Sequence, residues 1–98
     1  MFSDYGQATY TAGTDAYATI TDALSLAAAS REFRNSQFWL ETAQWRLSRN
    51  QPQYALASLL QATDELIDNQ SAQAVSLRLD IDQAIWTLSR QVAGDGLH

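Results

Sequence analysis

Chemistry at a protein site needs groups that exchange protons, attack carbon or hold a metal. This chain of 98 residues offers few of them. Its single histidine is His98, the last residue, and it has no cysteine. One histidine cannot supply His–Cys or His–carboxylate metal spacing. The Glu-x-x-His pairs of a di-iron bundle are missing from the sequence. Ser–His–Asp catalysis would have to recruit the terminal imidazole. The carboxylates come closest to a reactive set, since paired acids do acid–base work without histidine. Asp64 and Asp68 stand one helical turn apart with Glu65 beside them, whereas Asp80 and Asp82 point different ways on a helix. Their spacing lacks the turn geometry of a calcium loop, and the set reads as a solvated acidic face. The four glycines stand singly near the two ends, so no Gly-rich loop cradles a phosphate. The expectation is a chain with no catalytic residue, no metal ligand, no cofactor and no small-molecule substrate, hence not an enzyme. An enzyme working through carboxylates alone is the alternative kept on the chemical side.

Charge narrows the partners. The formal net charge is -5, which opposes phosphate backbones and anionic lipid surfaces. The charge is uneven along the chain. Residues 31–49 carry Arg31, Arg34, Arg46 and Arg49 against Glu32 and Glu41, a balance of +2 between two acidic segments. Such a pattern favours head-to-tail association, or it is a solvated mixture of both signs. Arg46 and Arg49 beside Trp45 also sketch a small aromatic platform, but a platform for single strands needs a positive groove. Nucleic acid is therefore not an expected partner. Every cationic side chain is Arg, the cation that pairs bidentately and stacks on rings. No window approaches the roughly 18 apolar residues that span a membrane. No secretory signal is evident either, because the run Ala23–Ala29 lacks a basic flank. A cytoplasmic location, or one inside a virion or large complex, is expected.

Apolar residues make up 46% of the chain, the composition of a folded domain. Their spacing carries most of the information. Tyr17, Ile20, Leu24 and Ala27 recur at helical steps, with Ala16 and Ala23 beside them. Thr14 or Asp15 caps this first helix, which is expected to reach about Arg34. Asn35 and Ser36 read as a break and a cap before a second helix to about Asn50. Pro52 suits the first turn of a third helix, where its missing N–H costs nothing. That helix, to about Asp68, presents Ala55, Leu56, Leu59, Leu60, Ala62, Leu66 and Ile67 as one broad face. Asn69, Gln70 and Ser71 make the next turn and cap, and a fourth helix runs from Ala72 to about Val92 before Gly94 and Gly96. Val75–Asp82 also alternates as a half-buried strand does. No second strand exists to pair with it, and the helical period continues through Gln83–Val92. The fold class expected is all-α, a small antiparallel bundle of about four helices. Residues 1–13 form an extended N-terminal arm, 14–93 one helical domain and 94–98 a tail.

Two of these helices are apolar on two sides, whereas a helix covering only itself needs one stripe. In the second, Trp39, Leu40, Ala43 and Leu47 share one face, and Phe38 and Trp45 fall nearly opposite. In the fourth, Ala74, Leu77, Ile81, Ile85, Leu88 and Val92 share one face, and Val75, Leu79 and Trp86 make another. The first helix is expected to cover Phe38 and Trp45, which makes the second helix the centre of the bundle. The fourth helix has no fifth to shield its second stripe.

Residues 36–69 resemble a single tetratricopeptide repeat through Trp39, Ala43, Ala55, Leu59 and Ala62. The sequence departs from that pattern at Thr42, Arg46 and Ile67. Leu59–Leu88 is similar to the helical region of HemX proteins through Ala62, Asp64, Asp80 and Ile81. Both resemblances imply a helical scaffold that binds proteins. The function expected is a structural subunit or adaptor acting through helix-mediated contacts with a protein partner or with its own copies, such as a small component of a phage or virus virion. A tetratricopeptide-like peptide-binding module is the second expectation. The interface residues expected are Phe2, Tyr5 and Tyr10 in the arm, Phe38 and Trp45 in the second helix, and Val75, Leu79 and Trp86 in the fourth.

Overall fold

The computed structural model describes residues 12–96, and the side chains of residues 16–93. Four helices follow in order: α1 (Ala12–Ala28), α2 (Arg34–Ser48), α3 (Pro52–Asp64) and α4 (Ala72–Gly96). No strand occurs among the described residues, and Val75–Asp82 is helical. Short connections oblige successive helices to run antiparallel. Each helix packs on the next, and α4 returns to pack on α1. The four therefore close into a ring, with α2 and α4 at opposite corners. The more extensive seams are α1–α4 and α2–α3, between the two hairpins rather than within them.

Helix boundaries depart from local expectation where a distant partner intervenes. α1 starts at Ala12, ahead of Thr14 and inside the span expected for the arm. It stops at Ala28, six residues before Arg34. Ser30 takes an extended conformation, and its hydroxyl accepts the Glu32 N–H at 3.4 Å to open a short 3-10 turn at Arg31–Phe33. The reason is Phe33. Continued helix would carry its ring about 130° off the face of Ile20 and Ala27, by the period of 3.6 residues per turn. The turn instead buries it to 2% exposure.

Asn35 and Ser36 are correspondingly inside α2 and cap nothing at its start. Ser36 is buried, and its hydroxyl donates to the Ala62 carbonyl at 3.1 Å. That carbonyl sits where α3 ends. The Leu66 N–H that a longer helix would supply turns instead to Thr63 at 2.9 Å. The Ser36 hydroxyl thus replaces the missing donor. For the same reason α3 stops at Asp64 and not at Asp68, and residues 65–68 wind into turns that bring Leu66 into the core.

The α2–α3 connection is set by Asn50, with φ 59, in the left-handed region that Asn tolerates. The Asn50 N–H reaches Leu47 at 2.9 Å and the Gln51 N–H reaches Arg46 at 2.9 Å, which satisfies the last carbonyls of α2. Pro52 then opens α3 as expected. Ser71 caps α4, accepting the Ala74 N–H at 3.1 Å. α4 continues through Gly94 to Gly96, past the expected stop near Val92 and into the span expected for the tail. No described glycine takes the positive φ of a helix-ending cap.

The bundle contains an internal repeat. The buried α1 set Ala16, Ile20, Ala23 and Ala27 recurs in α3 and the turn after it as Ala55, Leu59, Ala62 and Leu66, 39 residues later. The α2 set Leu40, Ala43 and Leu47 recurs in α4 as Ile81, Ala84 and Leu88, 41 residues later. Trp45-Arg46-Leu47-Ser48-Arg49 and Trp86-Thr87-Leu88-Ser89-Arg90 make the likeness plain. Each hairpin closes the core by packing on its own likeness.

Replacing Ser36 by Ala strands the Ala62 carbonyl in the core. Ser36→Ala is expected to lower stability by about 1–2 kcal/mol, the cost of an unpaired buried acceptor. Urea unfolding followed by circular dichroism checks it, with the midpoint falling and the slope unchanged.

Candidate protein-interaction faces

Two outer faces hold the apolar side chains that the core does not use. On α2 the inward side is as expected: Leu40 and Ala43 are buried, and Trp39 and Leu47 pack against them half-buried. The outward side is not covered by α1. Phe38 is 58% exposed and Trp45 is 52% exposed. The reason is geometric. In a closed ring each helix has two neighbours, and both sit on its inward half. Gln44, on one flank of α2, donates to Thr21 of α1 at 2.7 Å, while Arg46, on the other, reaches Tyr54 of α3. Phe38 and Trp45 lie between those flanks on the far side. α2 is a corner of the ring and not its centre.

The α4 face follows the same rule. Ala74, Leu77, Ile81, Ala84 and Leu88 are buried, and Ile85 packs beside them. Leu79 and Trp86 are 63% and 61% exposed, and Val75 is exposed as well. Because α2 and α4 occupy opposite corners, their outer faces point away from each other.

Arginine lines both faces. The Arg49 guanidinium lies 5.0 Å from the Trp45 ring centroid, and Arg90 lies 4.7 Å from that of Trp86. Arg46 bridges Trp45 and Tyr54, 5.3 Å from each, so Tyr54 joins the α2 face. The Phe38 ring meets Trp39 edge-on at 5.1 Å. Such cation–ring contacts are worth about 0.5–1 kcal/mol at exposed sites, and they hold the rings and charges in place on the surface.

Five further large apolar side chains are exposed: Tyr17 and Leu26 on α1, and Tyr54, Leu60 and Ile67 in or just after α3. Tyr17 is expected from the sequence on the core face of α1, but the buried stripe there is centred on Ala16, Ile20, Ala23 and Ala27 and leaves it at the edge; Leu60 and Ile67 are expected on the α3 face. Leu60 and Ile67 therefore correct the broad α3 face expected from the sequence. Leu60 stands six residues beyond Tyr54, on the flank of α3 away from α2. The repeat was the missed signal. It pairs Phe38 with Leu79, Trp45 with Trp86 and Arg49 with Arg90 at one shift of 41 residues.

The carboxylates gather into nothing. Asp64, Glu65 and Asp68 are exposed, and Glu65 accepts the Asn35 amide at 3.3 Å. Among the described residues no group of three His, Cys, Asp or Glu is placed to hold a metal. No described helix is long and apolar enough to cross a membrane. An open depression at the α1–α2 corner is lined by Arg31, Glu32, Arg34 and Asn35, without an apolar floor. Phe2, Tyr5, Tyr10 and His98 lie outside the described residues.

Replacing Trp45 or Trp86 by Gln is expected to cost the isolated chain no more than about 0.5–2 kcal/mol, the worth of the cation–ring contacts that go with the ring. Leu40→Ala on the inward side of the same helix is expected to cost about 2–5 kcal/mol. Chemical denaturation of the three variants checks the contrast. The chain matches no family model, no curated protein and no solved structure.

Proposed function

We propose that this chain is a non-catalytic assembly subunit or adaptor that works through helix-mediated protein–protein contacts. One observation carries the reading. Phe38, Trp45, Leu79 and Trp86 stand exposed on helices whose inward faces are already packed. Burying one such side chain is worth about 1.5–3 kcal/mol, and a domain with half of its buried apolar set in alanine gains nothing from leaving them in water. Apolar surface of this kind, rimmed by polar residues, marks interaction sites. Trp beside Arg is also the composition that interface hot spots favour. The net charge of -5 turns the choice of partner away from nucleic acid and anionic lipid.

A small component of a larger particle, such as a phage or virus virion, suits a chain of 10.9 kDa with two outward faces. So does a subunit of a cellular complex, and either places the protein in the cytoplasm or in the particle itself. A peptide-binding module of the tetratricopeptide kind calls for a concave groove lined by α2. The uncovered side of α2 is an outer corner of a closed ring, which suits helix-on-helix contact better.

The test is native gel filtration of extracts from cells that make the protein. The full chain is expected to elute within a larger complex, and the double variant Trp45→Gln with Trp86→Gln is expected to elute at its own mass. A wild-type chain that elutes at its own mass overturns the reading.

A further inference from the structure

The two outer faces carry one constellation twice. On α2, Glu41, Trp45 and Arg49 follow at four-residue steps, and on α4 Asp82, Trp86 and Arg90 do the same. Residues four apart stack along one side of a helix, and all six side chains are exposed. The core needs none of them, so packing within the chain does not explain why the set recurs. Among the described residues these acids and arginines form no ion pair with each other or with other groups. Each arginine lies instead on its own tryptophan.

An acid four residues before a tryptophan and an arginine four residues after it form a self-complementary set. When two such helices cross antiparallel at their tryptophans, each acid meets the arginine of the other. The same match holds for α2 on α2, α4 on α4 and α2 on α4. A parallel crossing in that register sets acid on acid and arginine on arginine, which is repulsive.

We propose that the occupant of each outer face is a second copy of this chain, docked helix to helix and antiparallel. Trp45 or Trp86 lies at the centre of the contact, with Glu41 or Asp82 paired to Arg49 or Arg90 at both ends. The inference rests on the assembly function proposed above and names its partner. α2 and α4 face opposite ways, so each copy engages two neighbours. Contacts of this kind carry association past the dimer, to a ring or an open chain.

Sedimentation velocity of the full chain, from micromolar to near-millimolar concentration, tests it. The wild type is expected to form species larger than a dimer as concentration rises. Arg49→Glu with Arg90→Glu leaves two acids flanking each tryptophan and is expected to shift the protein to monomer. Adding Glu41→Arg and Asp82→Arg restores the antiparallel match with the signs exchanged, and the larger species are expected to return. Trp45→Gln with Trp86→Gln is a second route to monomer that leaves the charges in place. Circular dichroism of each variant is expected to match the wild type. A wild type that stays monomeric throughout overturns the inference, and if it still enters a larger complex in cells the assembly function stands with a different partner. Assemblies indifferent to the arginine reversal, or a charge-exchanged protein that folds but stays monomeric, overturn the pairing itself.

Discussion

The seams of this bundle are lined with alanine, and the rest of the structure follows from that. Ala16, Ala23 and Ala27 on α1, Ala43 on α2, Ala55 and Ala62 on α3, and Ala74 and Ala84 on α4 are all buried in one cluster. Small side chains let helix axes approach closely, but each buries little surface. The larger residues Ile20, Leu40, Leu59, Leu77, Ile81 and Leu88 fill the space left between the seams. Neither hairpin can bury its inward face alone, because the more extensive seams lie between hairpins. Closure therefore leans on the helix ends. Ser36 supplies the donor that the end of α3 lacks, Asn50 reverses the chain after α2, and Ser71 caps α4.

A ring of four helices uses one stripe from each. The outward side of α1 carries Ala18, Asp22 and Ser25, and that of α3 carries Gln53, Ala57 and Asp64 with Leu60 among them. The outward sides of α2 and α4 carry Phe38 with Trp45 and Leu79 with Trp86. This alternation follows the repeat, since α1 matches α3 and α2 matches α4. The exposed tryptophans thus belong to the second helix of each hairpin, with Tyr54 of α3 beside the first of them, and two hairpins give the molecule two such faces on opposite sides.

Much of this was legible in the residues. The helical periods of Tyr17, Ile20, Leu24 and Ala27 with Ala16 and Ala23 beside them, and of Leu77, Ile81 and Leu88, placed the core faces of the first and last helices, although the first is centred on the alanines and leaves Tyr17 exposed. Pro52 and Ser71 placed two helix starts. The pair Asn35–Ser36 misled, because a capping signal is local whereas the partner of the Ser36 hydroxyl is the carbonyl of Ala62, 26 residues away. The end of α1 misled as well, since only the packed core demands the burial of Phe33. Leu60 and Ile67 looked like core because α3 is apolar over a wide arc, and how much of that arc is covered depends on where α2 and α4 stand. The repeat was harder to see because its odd and even helices recur at different shifts, 39 and 41 residues, the difference lying in the connections.

The sequence by itself determined that the chain is helical and that two of its helices have apolar residues on two sides. Periodicity and composition are local quantities, and no neighbour is needed to read them. Whether Phe38, Trp45, Leu79 and Trp86 are covered was decided by the tertiary structure alone. A stripe is buried only if another helix lies over it, and ring closure sets both neighbours of α2, and both neighbours of α4, on the inward half of each helix.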